Sequence, residues 1–225
     1  MQISVLQNCL ICKQSSKKLL CEYCRADLVK FECERYQHNL LNWPRVKKGL
    51  KAVSFDSVLA VADYQWPLSN LLTGLKFSAK QPHALALGEL FHQYAIAEAV
   101  NKPDAIIPMP LHNARYYQRR FNQSIEIAKH IGRLSNIAVE HTALKRIKKT
   151  TAQTELTASE RKANLRNAFG ISQSATYVMG QFKHIALFDD VITTGATMDA
   201  AYRLLKQHFP HLRIDVWCIC LTLEH

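Results

Sequence analysis

Residues 185–197 read IALFDDVITTGAT. Four apolar residues, two adjacent carboxylates and a threonine-glycine turn follow one another, and each part suggests a task. The apolar four predict a buried strand. Asp189 and Asp190 then fall at its carboxyl end, where parallel α/β sheets bind their ligands. The run Thr193, Thr194, Gly195, Ala196 and Thr197 leads into a helix, whose first backbone N–H groups and positive dipole end suit a phosphate. The three threonine hydroxyls add donors, and Gly195 lets the backbone come close to an anion. Two carboxylates beside a phosphate cradle repel that phosphate. They make sense as acceptors for the hydroxyls of a sugar, so these residues read as a site for a sugar phosphate with a vicinal diol.

A second set lies near the start. Cys9, Cys12, Cys21 and Cys24 are spaced Cys-x2-Cys, eight residues, Cys-x2-Cys. Two such knuckles supply four thiolates to one ion, the S4 set of a closed structural zinc site. A redox pair or disulfides are the competing chemistry, and two pairs this close in a reducing cytosol favour the metal. The segment is too short to bury a core, so metal binding supplies its folding energy. Of the 7 cysteines, Cys33 has no partner at metal spacing, and Cys218 and Cys220 sit in an apolar run as core thiols.

A third stretch, residues 107–124, reads IPMPLHNARYYQRRFNQS. A strand ends in Pro-Met-Pro, and the loop after it carries His112, Arg115, Arg119 and Arg120. Arginine forks match phosphate oxygens, so the loop suits a pyrophosphate or a nucleic-acid phosphate. A solvated basic loop is the alternative, weakened because this loop and the acidic pair both open at one sheet edge. Asn122 is placed to cap the next helix.

The elements that must position these residues follow from hydrophobic periodicity. A basic helix is expected over about 25–48, ending near Trp43-Pro44, and a strand over 55–64. Pro67 opens a helix with Leu68, Leu71, Leu72 and Leu75 on one face, and a longer helix covers 83–100. Strands are expected at 105–109, 137–144, 184–188 and 214–221, and helices at 122–134, 158–166 and 197–209. Residues 145–155 read as a polar, basic loop able to close over a site. Strands and helices alternate from residue 104 on, which points to a parallel α/β sheet.

Composition bounds the rest. The 225 residues are 48% hydrophobic and 21% charged, enough for a packed core and too apolar for wholesale disorder. No apolar run approaches the roughly 18–20 residues of a membrane span, and the first residues lack the pattern of a signal peptide. A cytoplasmic protein without membrane insertion is expected. The net charge of +11 favours an anionic partner, a nucleic acid or a phosphorylated ligand. Neither Gly-x-Gly-x-x-Gly nor the P-loop pattern is present, which argues against two common nucleotide-binding folds.

Residues 185–197 resemble throughout the phosphoribosyl pyrophosphate (PRPP) signature of type I phosphoribosyltransferases. That resemblance implies that Asp189 and Asp190 hold the ribose 2′- and 3′-hydroxyls and that Thr193 to Thr197 hold the 5′-phosphate. Taken whole, the chain resembles the ComF family of competence-associated, phosphoribosyltransferase-like proteins, including its GntX-like branch. Four matches carry this: the two cysteine pairs; Pro108-Met109-Pro110-Leu111-His112; Arg119 with Phe121-Asn122-Gln123; and DDVITTGAT. Thr151, Gln153, Leu156, Arg161, Asn164 and Phe169 fit the family's spaced pattern between the last two. Arg120 stands where the family usually has glycine, which either restricts that turn or adds a charge for phosphate. Many relatives carry further cysteines downstream of the first four, and here only Cys33 follows closely.

The resemblance implies a type I phosphoribosyltransferase-like parallel sheet flanked by helices over 49–225. A small N-terminal zinc module with a basic linker would fill residues 1–48. It implies PRPP or a related ribose phosphate as ligand, with Mg2+, and His112, Arg115, Arg119 and Arg120 at the pyrophosphate. It also implies a part in natural transformation, handling incoming single-stranded DNA alongside DNA-uptake proteins. Lys145–Lys149 with Arg161, Lys162 and Arg166 would contribute an electrostatic groove. Turnover stays open. An active transferase would expel pyrophosphate from C1 through an oxocarbenium-like centre, and one of nucleotide metabolism would need no DNA. A binding protein would keep the fold as a sensor.

The cysteine spacing makes one expectation independent of all this. Elemental analysis should find about one zinc per chain. Cys12→Ser should release it and unfold the N-terminal module while the main sheet's circular-dichroism signal persists. A metal-free protein with an ordered N-terminus would contradict the reading.

Overall fold

The computed structural model describes residues 7–50, 52–78, 81–96, 101–111, 121–147 and 168–223. The chain opens with a small hairpin of β1 (Gln7–Asn8) and β2 (Ser15–Ser16), antiparallel, followed by α1 (Glu22–Ala26). Single helical turns at Glu34–Tyr36 and Leu40–Asn42 lead to α2 (Pro44–Gly49). The basic stretch 25–48 is therefore not one helix. Gln37 and His38 take left-handed backbone angles (φ 54° and 55°), and Trp43 is extended (ψ 119°) ahead of Pro44, which starts α2. Proline disfavours the helical conformation in the residue before it and suits the first helical position.

Then come β3 (Val58–Asp63), α3 (Leu68–Ser78) and α4 (Gln81–Phe91), with a wider helical turn over His92–Ile96. After β4 (Ala105–Pro108), α5 runs from Gln123 to Ser135. Two short strands follow, β5 (Ala138–Val139) and β6 (Leu144–Arg146). β7 (Phe169–Ile171), α6 (Gln173–Gln181), β8 (His184–Ile192), α7 (Ala196–His208) and β9 (Arg213–Leu221) complete the described fold.

Five strands form the main sheet in the order β3-β9-β8-β4-β5, every neighbouring pair parallel. This is a parallel sheet flanked by helices, the α/β architecture that the alternation of elements predicts. Its centre is buried on both faces, as parallel sheets require: Ile185, Ala186, Leu187 and Phe188 of β8 have no exposed surface. Phe91, at the end of α4, stands edge-on to Phe188 with centroids 5.8 Å apart and lies 5.4 Å from Trp217 of β9. Leu68, Leu71, Leu72 and Leu75 of α3 are all buried, as their spacing predicts. α4 and α5 cross closely because residue 88 is glycine; a Cβ there would meet the His130 Cβ at 2.7 Å.

The stretch expected as one strand over 137–144 is two elements. β5 joins the edge of the main sheet, whereas β6 pairs antiparallel with β7 in a separate ribbon. β6 also takes in Lys145 and Arg146, which were expected in a loop; the helix expected at 158–166 lies outside the described residues. Helix α6 carries little periodic signal: Ala175 and Met179 are buried, but Tyr177 and Val178 are exposed.

The N-terminal segment lies along the outer edge of β3. Lys30 bridges to Ala62, and the Phe31 N–H donates to the Val61 carbonyl at 2.8 Å. That pairing covers backbone groups an edge strand would otherwise present for aggregation. Asn39 fastens the same segment. Its side-chain oxygen accepts from the N–H groups of Leu41 (3.0 Å) and Val58 (3.2 Å), and its amide donates to the Asp56 carbonyl (2.7 Å). Asn39→Ala should destabilise the fold by about 2 kcal/mol, given roughly 0.5–1.5 kcal/mol per hydrogen bond. The denaturant midpoint should fall at an unchanged m-value; an unchanged midpoint would show that the three bonds carry no net stability.

Candidate functional site

The acidic pair lies inside the end of β8, which runs on through Asp189 and Asp190 to Ile192. Both carboxylates are half-buried. Asp189 Oδ1 accepts the Ser124 hydroxyl at 2.8 Å and the Asp190 N–H at 2.9 Å. Asp190 Oδ1 accepts the Val191 N–H at 3.0 Å. Desolvation is the largest influence on Asp189, and the negative charge of Asp190 adds to it; Ser124 opposes both, and the net effect pushes Asp189 up to about 7. Hydroxyl donors entering the site would relieve this frustration by hydrogen-bonding the ionised form.

The turn after the pair exposes Thr193 and Thr194, while Ala196 and Thr197 are half-buried at the start of α7. Gly195 is the N-cap, with φ of 76°, a left-handed angle that favours glycine. A Cβ at 195 would lie 2.7 Å from Val53 Cγ1 and 3.1 Å from Leu50 Cδ2. The need for glycine here thus arises from backbone handedness and from the chain packed behind the turn. Asp199, in the first turn of α7, accepts the Ser54 N–H through Oδ1 and pairs with Arg203 Nε at 2.8 Å through Oδ2. Leu50 and Val53–Phe55 are thereby held against the turn.

Asn122 caps α5 as expected, accepting from the Ser124 N–H at 3.0 Å. Its amide also donates to the Met109 carbonyl at 2.9 Å, and the Met109 N–H donates to the Phe188 carbonyl at 2.7 Å. The points where the 107–124 loop leaves and rejoins the fold are therefore fixed beside the acidic pair. His112, Arg115, Arg119 and Arg120 themselves lie outside the described residues, as do residues 148–167 with Lys148, Lys149, Arg161, Lys162 and Arg166. Sequence reasoning missed Ser124 and Asp199 because their partners are 65 and 145 residues away and no local pattern marks them.

The other expected site is assembled. The sulfurs of Cys9, Cys12, Cys21 and Cys24 all lie within 4.8 Å of one another, with Cys12 and Cys21 at 3.7 Å. A tetrahedral ion with bonds of about 2.3 Å would set sulfurs roughly 3.8 Å apart, so the donor set fits zinc. Two N–H groups point at sulfur, Cys21 to Cys9 and Cys24 to Cys21, each at 3.4 Å. Burial raises the Cys9 pKa, but N–H groups of Cys21, Cys12 and Ile11 outweigh it and bring the thiol down to about 6. Burial and then the neighbouring thiols push Cys24 up to about 12. Cys33 is a core thiol, its Sγ 3.5 Å from the Ala60 carbonyl, and Cys218 and Cys220 have no exposed surface.

No protein-family model matches the chain. It is similar to DNA utilization protein YhgH of Escherichia coli K12, 31% identical over 223 residues, which is 96% of this chain and 90% of that one. The protein of the same name from Salmonella typhimurium is 32% identical over 77% of this chain and 75% of its own. Competence protein F of Haemophilus influenzae is 33% identical over 68% of each chain. Among solved structures, glutamine PRPP amidotransferase from B. subtilis with ADP and GMP overlaps 60% of this chain and 25% of that one. The TM-score is 0.38 at 16% identity, too slight a likeness to carry an argument.

The raised Asp189 pKa carries a pH signature. The unfolded chain releases this proton near pH 4 and the folded chain near 7, so stability falls as pH rises through that window. Asp189→Asn should be about 2–4 kcal/mol more stable than the parent at pH 8 and nearly equal to it at pH 4, at roughly 1.4 kcal/mol per unit. Thermal melts at the two pH values test this; an equal difference at both would show that Asp189 is not frustrated.

Proposed function

The chain belongs to the ComF family, and from that premise we propose that it binds PRPP or a related ribose phosphate at Asp189–Thr197 and handles single-stranded DNA during natural transformation. It is a competence-related protein with a phosphoribosyltransferase-like fold. The observation that carries the reading is the acidic pair, held at the carboxyl end of the central strand and followed directly by the N-terminus of α7. Asp189 and Asp190 accept the ribose 2′- and 3′-hydroxyls, and Ser124 keeps Asp189 turned toward them. The turn Thr193, Thr194, Gly195, Ala196 and Thr197 takes the 5′-phosphate through N–H groups and hydroxyls. His112, Arg115, Arg119 and Arg120 take the pyrophosphate. The ligand enters as its Mg2+ complex, in which the cation offsets pyrophosphate charge.

The four cysteines hold zinc in this reading. When bound, zinc cross-links the two knuckles and stabilises residues 1–48 as a module beside the domain of 49–225. Arg25 of α1 lies 4.0 Å from Glu89 of α4 and donates to the side-chain oxygen of Gln93 in the helical turn after it, so the module is also fastened to the helical layer. Basic residues of 145–166 and the arginine loop meet DNA phosphates, and DNA-uptake proteins are the natural partners. No helix among the described residues is long and apolar enough to cross a membrane, and the work proposed is cytoplasmic.

Calorimetry with PRPP and Mg2+ tests the ligand. Asp190→Ala should weaken binding by about 1.5–3 kcal/mol, the usual worth of a hydrogen bond to a charged group. Unchanged affinity would place the sugar elsewhere. A pyrophosphate-release assay on the same complex separates a transferase from a sensor.

A further inference from the structure

A cleft of about 290 Å³ lies between the N-terminal segment and the carboxyl end of β3, away from the acidic pair. Its lining combines aromatic faces with cations: Tyr36, Trp43 and Trp66, with Lys30, Arg35 and Arg45. Tyr36 and Trp43 are stacked, 5.4 Å between centroids at 14°, and Phe31 braces Trp43 edge-on at 5.5 Å. These contacts make a rigid aromatic wall. Trp66 stands opposite in character: it is 50% exposed, and fold stability gives no reason for so large an aromatic to stay in water.

Charge at the cleft favours an anion. Lys30, Arg35 and Arg45 outnumber the two acids, Glu32 and Asp63. Glu32 pairs with Arg35 at 3.3 Å in an exposed ion pair, so a phosphate at this rim competes with Glu32 for the guanidinium. Asp63 is taken up by the N–H groups of Tyr64 (2.8 Å) and Leu223 (3.1 Å) and the Gln65 amide (3.1 Å). The volume admits one planar ring system and is too small for a peptide helix. Position matters too. Asp63 is in register with Leu221, which is in register with Ile192 of β8. The cleft therefore opens on the same edge of the sheet as the acidic pair, two strands or about 10 Å to the side.

We infer that this cleft is a nucleobase-stacking site for single-stranded DNA, with Trp66 and the Tyr36–Trp43 stack as the platform and Arg35 and Arg45 at the flanking phosphates. Stacking on aromatic faces is tolerant of sequence, and a cationic rim tracks the backbone. The inference rests on the DNA-handling reading above and gives it a place on the fold separate from the PRPP site.

The chain has three tryptophans, and Trp217 is buried in the sheet. Titration of the full-length protein with an oligo(dT) of about twelve nucleotides, within the usual site size, should quench the emission of Trp43 and Trp66 and leave that of Trp217. Trp66→Ala should weaken binding roughly five- to hundredfold, Trp66→Phe much less. An abasic oligonucleotide of equal length should bind the parent as weakly as the oligo(dT) binds Trp66→Ala. Arg35→Gln should lower the salt slope by roughly 0.7. If the parent binds oligo(dT) but Trp66→Ala binds equally well, or if the abasic strand binds as tightly, the stacking site is wrong while the DNA role stands. No binding at low salt overturns both. A cleft built for another protein predicts no quenching by the oligonucleotide.

Discussion

Two negative charges on consecutive residues at the end of a strand buried on both faces are the constraint on which the rest of this structure turns. β8 has no freedom to move them apart, because Ile185 to Phe188 are packed above and below. The fold answers with fixed dipoles. The Ser124 hydroxyl and the Asp190 N–H meet Asp189, and the Val191 N–H meets Asp190. Those donors soften the repulsion without abolishing it, which leaves Asp189 poised near neutrality. A site that retains such tension is suited to a ligand bringing its own hydroxyls.

The other elements serve that edge of the sheet. Asn122 ties the start of α5 to the end of β4, so Ser124 arrives beside Asp189. Asp199 and Gly195 bring Leu50 and Val53–Phe55 behind the turn that follows the acidic pair. In chain order α2 lies between the cysteine cluster and that packing, and Leu50, directly after α2, is buried. What holds the N-terminal segment in place also holds the back of the turn.

Much of this was legible in the sequence, and for physical reasons. The IALF run ahead of the acidic pair is apolar without interruption, as a doubly buried strand requires, and the glycine of the turn after it takes a left-handed angle. The cysteine spacing specifies its own cluster. The apolar spacing in α3 predicts its buried face. What escaped was set by distant contacts. Gln37 and His38 give no sign in sequence of their left-handed angles, so 25–48 read as a helix. Val139 and Leu144 share a β-rich stretch, yet they pair with different strands. The Asn39 bonds to Val58 and Asp56 and the Ser124 bond to Asp189 depend on tertiary proximity that no local period encodes.

The strand order also dictates how the molecule must come together during synthesis. β3 has no sheet partner on its inner side except β9, and Val58 waits for Val216. Domains assemble as the chain emerges, amino end first, and contacts between remote segments form slowly. For most of translation, then, β3 lacks its inner neighbour, whereas β4 can pair with β5 once residue 139 has emerged. Its outer side fares better, because Lys30 and Phe31 lie only some thirty residues upstream and loops of that size close readily. The N-terminal segment is thus available to cover one flank of β3 early, while the other flank waits for the last described strand.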